Sequence, residues 1–199
     1  HFFPCSMNNP IYHARLQKWF KRNADLQCSN VVSLPDGIGE IAIPTMAFNV
    51  IYQLTHLYHH FFDEGIRMRQ IIDYYYVVNN DELLVIRDTL QRELKHLGLW
   101  NFARAVMFVL HEVLGLPEEK MIAPMDEKRG KLLLAEILNG GNFGKHFTKY
   151  GHFTQQGMAK KYFLKIWRNM HFVRYYPAEA LSEPIFRTWH FFWRMKNKK

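Results

Sequence analysis

His56 and His60 stand four residues apart, as do Arg69 and Asp73, within the run HLYHHFFDEGIRMRQIIDYYY. Four residues is close to one helical turn, so on helices each pair lies on a single face with its side chains able to touch. Two stacked imidazoles can ligate a metal. A zinc-protease helix, however, needs the glutamate of HExxH, and Leu57 follows His56 here, so spacing alone assigns no metal. Arg followed four residues later by Asp is the weaker order for helix stability, and such a pair on a surface contributes little. Stability is a thin reason for placing them there. If the chain folds back at Gly65, the histidines can meet Arg69 and Asp73. The guanidinium would then offer a fork to phosphate, and Asp73 would fix that fork or a histidine tautomer. The same four residues also suit a buried polar clasp joining two helices, which physics alone ranks first.

A second candidate is Gly140-Gly141-Asn142-Phe143-Gly144-Lys145, whose glycines let backbone approach a ligand while Lys145 offers a cation to an anion. It is not a P-loop, because GxxxxGK[ST] is not met and a helical pattern, not a strand, precedes it. The sequence has no G-x-S-x-G, no Cys/His nucleophile arrangement and no Asp-x-Asp pair on a strand. No catalytic residue is assigned.

The elements that must carry these residues are mainly helical. Asn9-Pro10 reads as a cap and first helical residue, followed by the apolar stripe Leu16, Trp19 and Phe20 up to about Asn23. Two β-branched runs flank Pro35-Asp36-Gly37 and predict a short hairpin. Thr45 caps a helix with Phe48, Ile51, Leu54, Thr55 and Tyr58 inward, ending near Gly65. A helix over about 66–78 follows. Asn79-Asn80-Asp81 introduces the next, with Leu83, Ile86 or Leu90, Leu94 and Leu97 at helical spacing. Asn101 opens another with Phe102, Val106, Val109, Leu110, Val113 and Leu114 inward, stopped by Gly115-Leu116-Pro117. Asp126 caps a helix carrying Leu132, Leu133, Ile137 and Leu138, and two late amphipathic helices cover about 158–173 and 183–195. The fold class is a multi-helix bundle with a short β-hairpin near the N-terminus.

Composition sets the outer limits. With 199 residues and 48% hydrophobic side chains the chain can bury one sizeable core, and its apolar runs are too short to span a bilayer. Residues 158–199 carry ten Lys and Arg against Glu179 and Glu183, an excess equal to the whole net charge of +8. That end invites polyanions, although a solvated helix face with a lysine tail has the same composition. Cys5 and Cys28 have no metal-finger spacing and read as free thiols of a reducing compartment, so the expected location is the cytoplasm.

The segment NVIYQLTHLYHHFFDEGIRMRQIIDYYYVV resembles the histidine and arginine region of a nucleotidyltransferase family, otherwise uncharacterised, found beside bacterial surface-polysaccharide genes: His-x3-His, a spacer, then Arg-x3-Asp. The likeness extends to ILNGGNFGKH and RTWHFFWR, and so covers nearly all of the chain. In that family an N-terminal polymerase-β-like domain bears a Gly-rich turn, an Asp-x-Asp pair holding two Mg2+ ions and a further acid on a later strand. The opening HFFP is similar to the end of that strand, so the acid is expected just before His1 and the Asp-x-Asp pair further upstream. The resemblance thus implies residues 1–44 as the end of the nucleotidyltransferase-like domain and 45–199 as a helical domain. It implies that His56, His60, Arg69, Asp73 and Lys145 bind nucleotide phosphate or an unknown acceptor, with Mg2+ and a nucleoside triphosphate serving the full-length protein and no catalysis by this chain alone. The alternatives are a non-enzymatic module that binds nucleic acid or an anionic membrane surface through its basic, aromatic C-terminal face, and a purely structural bundle serving a separate enzyme.

Overall fold

The computed structural model describes residues 5–27, 29–63, 65–140, 166–167 and 169–196. Among them are seven α-helices and one two-stranded antiparallel hairpin. Helix α1 spans Pro10–Arg22, and the Asn9 carboxamide accepts from the amides of Ile11 and Tyr12, both at 3.1 Å. Strands β1 (Asn30–Ser33) and β2 (Glu40–Ile43) pair Asn30 with Ile43 and Ser33 with Glu40. The turn between them places Asp36 and Gly37 at positive φ, a conformation that Asp and Gly tolerate best.

Helix α2 (Met46–Asp63) runs back through the core and stops before Gly65, whose φ of 91° turns the chain into α3 (Met68–Val78). Helix α4 spans Glu82–His96, with the Asn80 side chain accepting from the Glu82 amide at 2.9 Å. Helix α5 (Trp100–Leu114) ends on a left-handed Gly115, and the Leu116 amide returns to the Leu110 carbonyl at 3.0 Å. This is the reciprocal bonding of a glycine-terminated helix, and it buries Leu116 beneath the turn. Helix α6 (Glu127–Gly140) starts on Asp126, which accepts from the Arg129 amide at 3.1 Å. The last described helix, α7, spans Pro177–Lys196.

One apolar core joins these helices. Leu16, Trp19 and Phe20 of α1 belong to it together with residues of α2 to α6, Phe172, Tyr176 and Ala180. The hairpin stands outside, with Val31, Val32 and Ile41 exposed on its strands. At the centre Tyr58, Phe61 and Phe62 of α2 meet Phe102 of α5, Phe172 and Tyr176, with ring centroids from 4.6 Å (Phe61 to Phe172) to 6.2 Å (Phe102 to Tyr176). Each such aromatic pair adds about 0.5–1.5 kcal/mol beyond the area it buries. A polar clasp lies alongside. The Arg129 guanidinium reaches Asp126 at 2.6 Å and the Tyr175 carbonyl at 3.1 Å, while Arg104 stands 3.8 Å from Asp126. Burial works to raise the Asp126 pKa, but the bonds from Arg129 and the nearby charge of Arg104 outweigh it and hold the carboxyl below its usual range.

The structure corrects the sequence reading at three places. Val113, expected inward, is 41% exposed, and Leu138, one of the apolar residues that marked its helix, is 66% exposed, because the stripes of α5 and α6 that meet the core are narrower than their run of apolar residues. Helix α7 begins at Pro177 rather than near Glu183. Pro177 is the residue that opens it, and Pro184 sits inside the helix. Helix α3 begins at Met68, two residues later than the pattern suggests. Most of the late helix expected over 158–173 lies outside the described residues; at 166–167 and 169–170 the backbone is helical.

Among the described residues, helices α5 and α6 form the most extensive helix pair, and Gly130 lets them come together. A Cβ there would stand 2.3 Å from the Phe108 ring and 2.5 Å from its Cβ. Gly130→Ala is therefore expected to lower stability by about 1–2 kcal/mol despite the better helix propensity of alanine. Urea unfolding reads this as a lower midpoint, and an unchanged midpoint would mean that the two helices have room to part.

Candidate functional site

The burial of one face of α2 decides where its histidines point. Leu54, Tyr58, Phe61 and Phe62 face the core, so His56 and His60, each about 200° from Tyr58 around the helix, face outward. His56 is exposed and His60 half-buried. Their Nε2 atoms lie 3.0 Å apart and their rings are almost perpendicular, at 84°. Below them the rings continue one turn at a time. Tyr52 stacks on His56 at 6.4 Å with planes 11° apart, Phe48 on Tyr52 at 5.9 Å, and Trp19 of α1 on Phe48 at 5.3 Å. The imidazole pair is thus the outer end of an aromatic ladder whose inner end is anchored in the core. His59 stands beside it, 6.2 Å from His60 between ring centroids.

Helix α3 is oriented by Ile71, Tyr74 and Val78, all fully buried, and the Tyr74 hydroxyl donates to the Val50 carbonyl of α2 at 3.4 Å. Those contacts turn Arg69 and Asp73 to the opposite side, where both are exposed. Among the described residues no hydrogen bond or ion pair joins Arg69 to Asp73, or either of them to the histidines. The buried clasp is therefore not what these residues form among the described residues: Ile71, Tyr74 and Val78 face α2, and the polar bond from Tyr74 to Val50 crosses between the two helices. The structure brings His56 to His60 and leaves Arg69 and Asp73 facing water on the neighbouring helix. Lys145 lies outside the described residues, as do Lys160, Lys161, Lys165, Arg168, Lys198 and Lys199 of the basic 158–199 segment assigned to polyanions. Cys5 is a buried free thiol, with burial raising its pKa to about 11, and Cys28 is also outside the described residues.

A second feature escaped the sequence reading. Glu179, in the first turn of α7, is 3% exposed, and its carboxylate accepts from the backbone amides of Asn8 at 2.5 Å and Asn9 at 3.1 Å. The Asn9 side chain completes the junction by donating to the Ala178 carbonyl and the Ser182 hydroxyl, at 3.3 and 3.2 Å. Burial raises the Glu179 pKa to about 7 against the lowering effect of the two amides. A glutamate in a helical first turn is so ordinary a feature of helix ends that nothing in the sequence marks this one as buried. Next to the junction lies a mostly apolar cleft of about 470 Å3, lined by Met7, Asn8, Pro10, His13, Ser182, Ile185 and Phe186. His13 accepts from the Met7 amide through Nδ1 at 3.4 Å, and burial keeps its pKa below the ordinary imidazole value. The Ser182 hydroxyl donates to the Ala178 carbonyl at 2.7 Å, the back-bonding of a helix serine rather than the posture of a nucleophile activated by a base.

No protein-family model matches this chain, and neither the curated proteins nor the solved structures give a significant match. Among the described residues no helix is long and apolar enough to cross a membrane, and no three His, Cys, Asp or Glu side chains gather as a metal set.

Two outcomes follow from this geometry. Arg69→Ala and Asp73→Ala should each leave stability within about 0.5 kcal/mol of the parent in urea unfolding, as for surface positions free of packing duties; a loss above about 1 kcal/mol would restore a structural role. For Glu179 the folded pKa lies above the ordinary 4.5, so the folded state keeps a proton that the unfolded chain has already released. Stability should then fall as pH rises from about 4.5 to about 7, by on the order of 3 kcal/mol. Glu179→Gln should flatten that slope, and identical pH profiles for the two proteins would show that the carboxyl does not titrate in this way.

Proposed function

We propose that this chain is the helical nucleotide- or acceptor-binding portion of a nucleotidyltransferase, holding phosphate rather than catalysing transfer by itself. The observation that carries the reading is the exposure of Arg69 and Asp73 on α3, next in the chain to the helix that bears the outward His56 and His60. An arginine and an aspartate four residues apart that, among the described residues, neither pair nor pack have no evident duty in stability. Their place in an ordered motif set supports a duty toward a ligand, as do the hairpin and helical bundle that accompany that set.

Nucleotidyl transfer is an in-line displacement at phosphorus, in which cationic side chains neutralise phosphate oxygens and hold the departing group. Arg69 provides a planar fork suited to two phosphate oxygens, and Asp73, one turn along, is placed to orient it when the ligand arrives. His56 or His60 would supply a further donor, and Lys145 a further charge. Magnesium requires oxygen ligands in octahedral array. The described residues gather no such set of carboxylates, so they do not fit a Mg2+ site and no step is drawn through that ion.

The test is thermal unfolding with each common nucleoside triphosphate in the presence of Mg2+. A ligand at 100 times its Kd stabilises by about 2.7 kcal/mol, which in a chain of this size raises Tm by roughly 5–10 °C. Arg69→Ala should weaken that ligand about tenfold or more, the loss of one charge-assisted bond. The proposal fails if no nucleotide shifts the transition, or if Arg69→Ala binds as tightly as the parent.

A further inference from the structure

The His56 and His60 side chains meet in a way that spacing alone does not require. With Nε2 atoms 3.0 Å apart, one imidazole donates an N–H and the other accepts with its lone pair. Two imidazolium rings would set N–H against N–H, so the contact itself demands that at least one ring be neutral, the form that ligates metals. Bonds from imidazole to zinc-like ions are roughly 2.0–2.1 Å long, so two of them meeting at a right angle place their nitrogens roughly 2.9 Å apart, and at a tetrahedral angle roughly 3.4 Å. The observed separation falls within that span.

We propose that His56 and His60 form a solvent-facing bidentate site for a divalent first-row transition-metal ion. Binding moves the shared proton off Nε2 and onto Nδ1 of the same ring by exchange with solvent. Both Nε2 lone pairs then face one ion after a small ring rotation. No net proton is released when both rings start neutral, and one is released when the pair starts with an extra proton. Imidazole selects Ni2+, Cu2+ and Zn2+ over Mg2+ and Ca2+, which seek oxygen. The ladder beneath gives the site its rigidity: Tyr52 holds the plane of His56, Phe48 holds Tyr52 and Trp19 holds Phe48, so little ordering remains to be done on binding. Among the described residues no third His, Cys, Asp or Glu completes a set, so the assignment is of two protein ligands. HExxH, the motif absent from this helix, describes a catalytic zinc with a glutamate base, and a simple two-histidine chelate does not need it. This inference does not rest on nucleotide binding.

The experiment is calorimetric titration of the full chain with Ni2+ alone at pH 7.5 and pH 5.0, comparing the parent with His56→Ala, His60→Ala, the double variant and His59→Ala. One ion per chain is expected at pH 7.5. Affinity should drop tenfold or more in either single variant, vanish in the double variant, survive in His59→Ala and fall away at pH 5.0, where protons compete for imidazole nitrogen. Ni2+ should also raise the Tm of the parent and not of the double variant, while matching far-ultraviolet circular dichroism shows that the variants remain folded. Absence of binding by the parent, binding that persists in the double variant, or loss of binding in His59→Ala would each overturn the assignment.

Discussion

The aromatic junction of Tyr58, Phe61, Phe62, Phe102, Phe172 and Tyr176 is the constraint on which the remaining arrangement depends. It locks the rotation of α2 about its own axis, because three of these rings come from one side of that helix. Once that side is committed, an α-helix has no freedom left in where its other residues point. His56, His60 and Tyr52 are outward as a geometric consequence of what lies inward. The same junction reaches Phe172 and Tyr176, just before α7, and so sets the direction from which that helix arrives at α1.

The molecule treats its polar groups in two contrasting ways. Between α2 and α3 it buries apolar side chains, and the charged residues of α3 stay in water, where they retain full solvation and remain available. Between α1 and α7 it buries a carboxylate and satisfies it with two backbone amides that would otherwise lack partners. The first solution leaves a surface able to act on something else. The second spends its charge on architecture and ties that piece of architecture to proton concentration.

Much of this was legible in the sequence, and the failures have physical causes. Asn9-Pro10, Thr45 and Asp126 announced helix starts because a cap is local chemistry, satisfied within three residues. The hairpin was legible for the same reason, from β-branched runs about Pro35-Asp36-Gly37. That His56 and His60 share one face needed only a helix. The separation of those histidines from Arg69 and Asp73 was not legible, since it depends on how far α3 is rotated, and Ile71, Tyr74 and Val78 fix that only against the folded partner. Glu179 was invisible because its partners are 170 and 171 residues away. The start of α7 at Pro177 was not legible either, since Pro184 lies inside that helix, where local propensity disfavours proline.

The bond from Glu179 to Asn9 spans 170 residues and therefore has a history as well as a geometry. A ribosome adding about 5–20 residues per second takes on the order of 10–30 s to reach Glu179 after Asn9. For that interval α1 can form its own turns, helped by its local cap, but the two amides that precede it face water or passing chains. The first helix is thus made early and seated late, with its closure against α7 deferred until Glu179 has emerged. Until α7 emerges, a nascent chain of this design exposes the seat of that helix, which makes that cleft the surface where premature or mistaken contacts, and protection by chaperones, would concentrate.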